Sequence, residues 1–206
     1  LKIIKKYHKK NIKILDLGCA AGDWLYFIKQ YYDKNSYFEG VDYSKSLIND
    51  AKKKYNFENI KFKHRKAENY LSNRKFDVIN ISGLISYYDN FEKIIECSFK
   101  NLNEKGILIL FDNLNQHNID VLVRYRHNKK SKKFEQGWNI HSEETIKKII
   151  RKKKLKYVDS FNFKMPFFLK KTNDPARSWN IRTNEGLLFR NGLAQIYKLK
   201  AYIFKK

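Results

Sequence analysis

Short apolar runs that alternate with stretches of helical spacing constrain this chain more than any other feature. Asn11–Leu17 runs into Gly18, Tyr37–Asp42 ends on an acid, and Ile60–His64, Phe76–Ser82 and Gly106–Asp112 repeat the pattern. Between them, Ala21–Tyr32 carries Trp24, Leu25, Ile28 and Tyr32 at helical intervals, and Ser44–Tyr55 follows a natural N-cap at Ser44. Ala67–Asn73 and Phe91–Leu102 read as two more helices. Strands this apolar are buried on both faces, so their connections must be right-handed crossovers that lay helices over a parallel sheet. A further helix starts at Ser142, with Glu143 and Glu144 in its first turn where the macrodipole favours acids. Strands Lys156–Phe163 and Ala194–Phe204 close the chain. The reading is one α/β domain over residues 1–206, doubly wound, with irregular insertions at about 113–141 and 165–193.

Composition supports a folded chain, with 42% hydrophobic and 16% aromatic residues. No run of 18 apolar residues occurs, so no membrane span is expected. Leu1–Lys10 are half charged and run straight into a strand, unlike a secretory leader. The chain opens on Leu1 rather than Met, which leaves room for residues upstream. Cys19 and Cys97 fit reduced thiols of a cytoplasmic protein, and two cysteines build neither a disulfide framework nor a zinc site. No metal is expected.

Charge is the unusual quantity. The net is +23, and residues 120–206 hold 23 Lys/Arg against 7 Asp/Glu, a net of +16. AT-rich coding would inflate Lys, but it would inflate Glu equally, and Glu is scarce. Two readings stand: a solvated lysine coat, or a surface that receives an anionic partner.

The chemistry concentrates in the first strand–helix turn, Asp16-Leu17-Gly18-Cys19-Ala20-Ala21-Gly22. Small residues here let the backbone turn tightly and approach a ligand over the strand tips. The spacing is Asp-x-Gly-x-Ala-x-Gly rather than Gly-x-Gly-x-x-Gly. Asp16, ahead of the first glycine, suits a cationic amino acid and not a pyrophosphate. Asp42, at the end of the second strand, stands where an acid can take both hydroxyls of a ribose.

Ile14–Leu25, Gly40–Ser44, Phe76–Ser86 and Lys105–Phe111 resemble the motifs of the class I S-adenosylmethionine-dependent methyltransferase family over essentially the whole chain. That resemblance implies a seven-stranded Rossmann-like sheet of order 3-2-1-4-5-7-6 with strand 7 antiparallel. S-adenosylmethionine is the implied cofactor and S-adenosylhomocysteine the product. Carried over by position, Asp16, Gly18, Ala20 and Gly22 form the turn beside the methionine moiety, and Asp42 holds the ribose diol. Tyr43 packs near the adenine, Ala67 and Glu68 match the adenine-contacting turn, and Ser82 follows the fourth strand near the methionine amine. Ala20 departs from the commoner glycine, a change of one methyl group.

For catalysis, Tyr87, Tyr88, Asp112, Asn113 and His117 lie near the strand tips, with Tyr87 and His117 the leading candidates and His117 a possible general base. His141, just before the Ser142 cap, reads as structural. The acceptor reading rests on arginines: eight against 36 lysines, yet Arg177, Arg182 and Arg190 fall within fourteen residues. A planar guanidinium grips phosphate or carboxylate in a way lysine does not. Arg124, Arg177, Trp179 and Arg182 are therefore candidate contacts for a small anionic acceptor; the alternative for this segment is a surface hairpin at the sheet edge. The segment also resembles the C-terminal part of small bacterial methyltransferases that modify surface-polysaccharide or lipid-linked glycan building blocks. RNA is the rival acceptor, prompted by the charge and by an Ala-Ala-Gly turn followed by Trp24 that resembles ribose 2′-O methyltransferases. The Lys–Asp–Lys–Glu tetrad of that family is absent, as is the Asn/Asp-Pro-Pro-aromatic turn of amino-directed enzymes. A non-catalytic fold relative is the third reading, opposed by the intact Asp16, Gly18 and Asp42 set. Asp42→Ala is expected to weaken S-adenosylmethionine binding by roughly 1–3 kcal/mol in calorimetry, because two hydroxyls lose a charged acceptor; unchanged affinity would mean that the ribose lies elsewhere.

Overall fold

A computed structural model describes residues 1–8, 10–127, 132–153, 155–174, 177–191, 195–197 and 199–206. In chain order the elements are α1 (Lys2–Tyr7), β1 (Lys13–Leu17), α2 (Asp23–Lys29), β2 (Tyr37–Asp42), α3 (Lys45–Lys54) and β3 (Ile60–His64). Then come β4 (Phe76–Ser82), α4 (Glu92–Asn101), β5 (Leu102–Asn115), β6 (Arg124–Tyr125), β7 (Glu135–Gln136) and β8 (His141–Ser142). The last are α5 (Glu143–Lys152), β9 (Lys156–Asn162), β10 (Trp179–Thr183), β11 (Gly186–Arg190), β12 (Ile196–Tyr197) and β13 (Leu199–Lys205). The main sheet runs β3-β2-β1-β4-β5-β13-β9, with short β8 paired to the end of β5. The first five strands of that order are mutually parallel, and β13 is antiparallel to both neighbours. This is the expected Rossmann-like order, with one short strand added.

Period-two alternation within the central strands divides the core between two faces. Ile14, Val78, Ile107 and Ile109 face a layer built from α1, α2 and α3 through Ile4, Leu25, Ile28 and Ile48. Leu15, Ile79, Leu108 and Leu110 face α4 and α5 through Ile94, Ile95, Ile146 and Ile150. Both predicted caps form: Ser44 Oγ accepts from Leu47 N and Ser142 Oγ from Thr145 N. α1 lies in the segment read only as charged, and its buried Ile4 joins the first layer.

Two expected elements differ. Ala67–Asn73 is a single 3-10 turn, Ala67–Asn69, followed by irregular chain. Asn101 replaces the missing helix bonds: its Nδ2 donates to Tyr70 O at 2.7 Å and its Oδ1 accepts from Ser72 N at 2.8 Å. A seven-residue helix has little stability of its own, so one well-placed amide overrides it. The strand expected from Ala194 begins at Leu199; β12 pairs instead with β11 in a separate three-stranded sheet, and Ala194 lies outside the described residues.

Gly22 separates two effects of a glycine. Its φ is +81°, and a Cβ there would stand 2.5 Å from the Phe62 ring, whereas Gly83, at φ +65°, faces open space. Gly22→Ala should cost about 2–4 kcal/mol in urea unfolding and Gly83→Ala about 1–2 kcal/mol; equal costs would mean that Phe62 moves aside freely.

Candidate active site

The first turn is fixed by backbone bonds to the neighbouring strand. Gly18 N and Cys19 N both donate to Val41 O, at 2.8 and 3.1 Å. Ala20 is held in the left-handed region at φ 47°, which turns its N–H onto Asp42 Oδ2 at 3.0 Å. Ser44 N donates to the other oxygen of Asp42 at 2.8 Å. Two main-chain donors thus aim one carboxylate at the tip of β2, beside the turn after β1.

A cavity of about 540 Å³ opens over these strand tips. Gly18, Ala20, Asp42, Tyr43, Ala67 and Ser82 all border it, which brings together six of the nine residues expected at the cofactor. The other three support it. Asp16 is 3% exposed beneath the turn and accepts from Asn80 Nδ2 at 2.7 Å, while Asn80 Oδ1 accepts from Ser82 Oγ at 3.0 Å. Gly22 caps α2 against Phe62, and Glu68 accepts from the hydroxyl of Tyr88, which borders the cavity. Burial pushes the Asp16 carboxyl up from 3.8 to about 7, the Asn80 bond opposes that rise, and the charge of Asp42 adds to it. The lining fits a nucleoside joined to a cationic amino acid: the Asp42 carboxylate for vicinal hydroxyls, Tyr43, Leu47 and Ala67 for a flat base, and Ser82, backed by the buried Asn80 and Asp16, on the side of an ammonium. Its volume lies within the range of small-molecule sites.

A second cavity, of about 830 Å³, borders the first, and Gly83 and Tyr87 line both. Tyr87 sits in the 3-10 turn Ile85–Tyr87, half exposed, and its hydroxyl accepts from Trp138 Nε1 at 2.8 Å. The turn is held from below. Asp112, 4% exposed at the end of β5, accepts from Ser86 N at 3.2 Å and from Asn113 N at 2.8 Å. His141 Nε2 donates to Tyr88 O at 2.9 Å and Ile85 O at 3.2 Å, the structural role expected of it. Burial raises the Asp112 carboxyl to about 6 against those donors. On the outer wall stand Leu169, Lys170, Asp174 and Arg177.

Several expected residues stand apart from this cleft. His117 is exposed and borders a different cavity, with Glu143 and Lys200, because β5 continues to Asn115 and carries the loop beyond Tyr87. Arg124 pairs with Asp89 at 2.5 Å. Arg182 lies over the Phe168 ring and Trp179 under Lys171, both within a hairpin closed at Thr183–Gly186. Of the arginines, Arg177 alone lines the larger cavity among the described residues, with its Nε 3.7 Å from the Asp174 carboxylate on the same wall. The hairpin alternative for this segment is therefore present, and the cavity uses only the irregular chain that leads into it. Trp138, Lys170 and Asn80 were not singled out from sequence; the buried Asn80 within an apolar strand is the one signal that could have marked the site.

The comparisons with known proteins agree with the fold. The family described as a methyltransferase domain matches residues 8–165. An uncharacterized protein of Rickettsia prowazekii is 38% identical over 104 residues, 48% of this chain and 19% of that protein. A ubiquinone/menaquinone biosynthesis C-methyltransferase of Campylobacter jejuni is 28% identical over 116 residues, 54% of this chain and 48% of its own. The chain thus spans about half or less of the length of the curated relatives it matches. A crystal structure described as a putative S-adenosylmethionine dependent methyltransferase from Listeria monocytogenes superposes with a TM-score of 0.67 at 12% identity, covering 100% of this chain and 96% of the other.

Asp16 makes a pH prediction. Its folded carboxyl is raised from 3.8 to about 7, so its contribution to stability is complete below about pH 4 and is lost as pH rises through 7. Urea unfolding of wild type and Asp16→Asn from pH 5 to pH 8 should show the wild type losing stability relative to the variant. A constant difference across that range would place the carboxyl near its ordinary value.

Proposed function

The chain belongs to the class I S-adenosylmethionine-dependent methyltransferase family, and on that premise we propose that it methylates an oxygen of a small acceptor bearing a phosphate or carboxylate. When bound, the cofactor supplies a methyl group on a sulfonium sulfur and leaves as S-adenosylhomocysteine. Asp42, Gly18, Ala20, Tyr43 and Ala67 bind it, with Asp16 and Ser82 at the amino-acid end.

The carrying observation is that the two cavities meet at Gly83 and Tyr87. An acceptor in the larger one presents its reacting atom at that junction, where positioning and exclusion of water are most of what an in-line displacement needs. Tyr87, fixed through Trp138, orients the acceptor with its remaining hydroxyl hydrogen. Asp112 replaces His117 as the candidate general base, since it lines the same cavity as Tyr87 and its carboxyl at about 6 is ionised at neutral pH. Lys170 and Arg177 favour an anionic group on the outer wall. The Campylobacter relative is named for C-methylation, so the family leaves the acceptor atom open. Free, buried Cys19 and Cys97 are consistent with a reducing, cytoplasmic setting.

Steady-state methyl transfer to phosphorylated sugars, sugar nucleotides, carboxylates and bulk RNA tests the reading. Asp112→Asn should lower kcat roughly 10²–10⁴-fold and abolish the fall in kcat/KM as pH drops through 6, with cofactor affinity unchanged. Arg177→Lys should cut kcat/KM at least about tenfold, whereas Arg124→Lys and Arg182→Lys should change little. Transfer to RNA with Arg177→Lys indifferent would overturn the small-anion acceptor.

A further inference from the structure

The segment Phe163-Lys-Met-Pro-Phe-Phe-Leu-Lys-Lys171 connects edge strand β9 to β10 and presents apolar side chains to solvent. Phe167 is 58% exposed, Phe168 46% and Phe163 38%. The loop is nonetheless built. Phe163 N donates to Leu199 O at 3.0 Å, and its ring meets Phe111 edge-on. At the other foot, buried Asn180 closes a reciprocal pair: its N donates to Leu169 O at 2.9 Å, and its Oδ1 accepts from Leu169 N at 2.8 Å. Pro166 stiffens the tip between these anchors. Phe167 and Phe168 therefore project from a loop whose two ends are tied to the fold.

Cations surround that tip. Lys164, Lys170 and Lys171 flank it, and the guanidinium of Arg182 sits 5.8 Å from the Phe168 ring centre. The second insertion offers a similar pair, Arg126 over Phe134, which is 65% exposed. Apolar rings with basic groups at their margin suit a layer where hydrocarbon lies below and phosphate above. The same foot of the loop, Leu169 and Lys170, lines the acceptor-side cavity.

We propose that the Phe163–Lys171 loop docks this protein on an anionic membrane surface, with Phe167 and Phe168 entering the headgroup boundary and the flanking basic residues meeting lipid phosphates. On the reading that the larger cavity takes a phosphate- or carboxylate-bearing acceptor, docking sets its rim at the headgroup layer, where such an acceptor carrying a lipid tail enters without crossing water. Charge complementarity selects this occupant. A second copy would bring another +16 from residues 120–206 against the first. Single-stranded RNA would answer the charge, but it calls for open ring faces in series, and the face of Phe168 is covered by Arg182. The contact proposed is peripheral, made by side chains of one loop; no helix among the described residues is long and apolar enough to cross a membrane.

Co-sedimentation with vesicles of phosphatidylcholine alone, and of phosphatidylcholine mixed with phosphatidylglycerol, tests the proposal without any methyl transfer. Wild type should bind the mixed vesicles and bind phosphatidylcholine weakly. Phe167→Ser/Phe168→Ser should weaken binding about tenfold or more while keeping its melting temperature and cofactor affinity. Lys164→Gln/Lys171→Gln should weaken it at low salt, and by less as salt rises, because screening removes the same attraction from wild type. Failure of wild type to bind mixed vesicles would overturn the proposal. So would full retention by the phenylalanine variant, which would mean adsorption by charge alone, or phenylalanine-dependent binding to single-stranded RNA with vesicles ignored.

Discussion

The hydrogen bond from Asn80 to Asp16, across the two central strands, is the constraint on which the rest of the cleft depends. It joins β1 to β4 at 2.7 Å where the sheet is most deeply covered. A carboxylate so placed resists ionisation, and its carboxyl is pushed to about 7 despite the amide that holds it. The sheet thus keeps beneath the Gly18 turn an acid that gains most from a cationic neighbour. Replacing the pair with apolar residues of like shape would remove that demand, and with it a reason for the site to receive an ammonium group.

A second device works one strand over. The short turn Ile85–Tyr87 has few bonds of its own, and Asp112 and His141 supply acceptors and donors from beneath. Asn139 adds a bond from its backbone N to Ser86 O at 2.8 Å. These buried polar groups come from β5 and from the chain just before α5, so both ends of the insertion between them are tied to the turn. The result fixes Tyr87 at the junction of two cavities, with Trp138 holding its hydroxyl. Asp112 both carries the turn and lines the larger cavity, so the support of the turn and the proposed general base are one side chain.

Charge behaves differently from what its abundance suggests. Many of the cations are engaged locally: Arg124 with Asp89, Lys63 with the buried Glu39, Arg74 over Tyr37 and Lys29 over Phe57. Exposed pairs of this kind add little to stability, yet they direct where each cation points. Arg182 follows the same rule, since it lies in the β10–β11 hairpin with its guanidinium over the Phe168 ring. Scarcity of a residue type in a sequence marks a chemical preference without marking a location.

What the sequence determined by itself is the order of the main sheet, the helices α2 to α5 and the tight turn after β1. Those features rest on local physics: apolar runs buried on both faces, Ser44 and Ser142 as caps, and an Asp-x-Gly-x-Ala-x-Gly turn whose glycines and acids are neighbours in the chain. Asp42 was legible because the end of β2 must lie beside the end of β1 in any parallel sheet of this kind. The helix after β3 was not, because Asn101 reaches it from 29 residues away in sequence. The acceptor side was decided only by tertiary structure. His117 and Tyr87 are both near strand tips in the chain, but the extension of β5 carries them to different cavities. Trp138 and Lys170 arrive from two insertions with no periodicity; Trp138 reaches Tyr87 through a side-chain bond that no local pattern encodes, and Lys170 lines the same cavity.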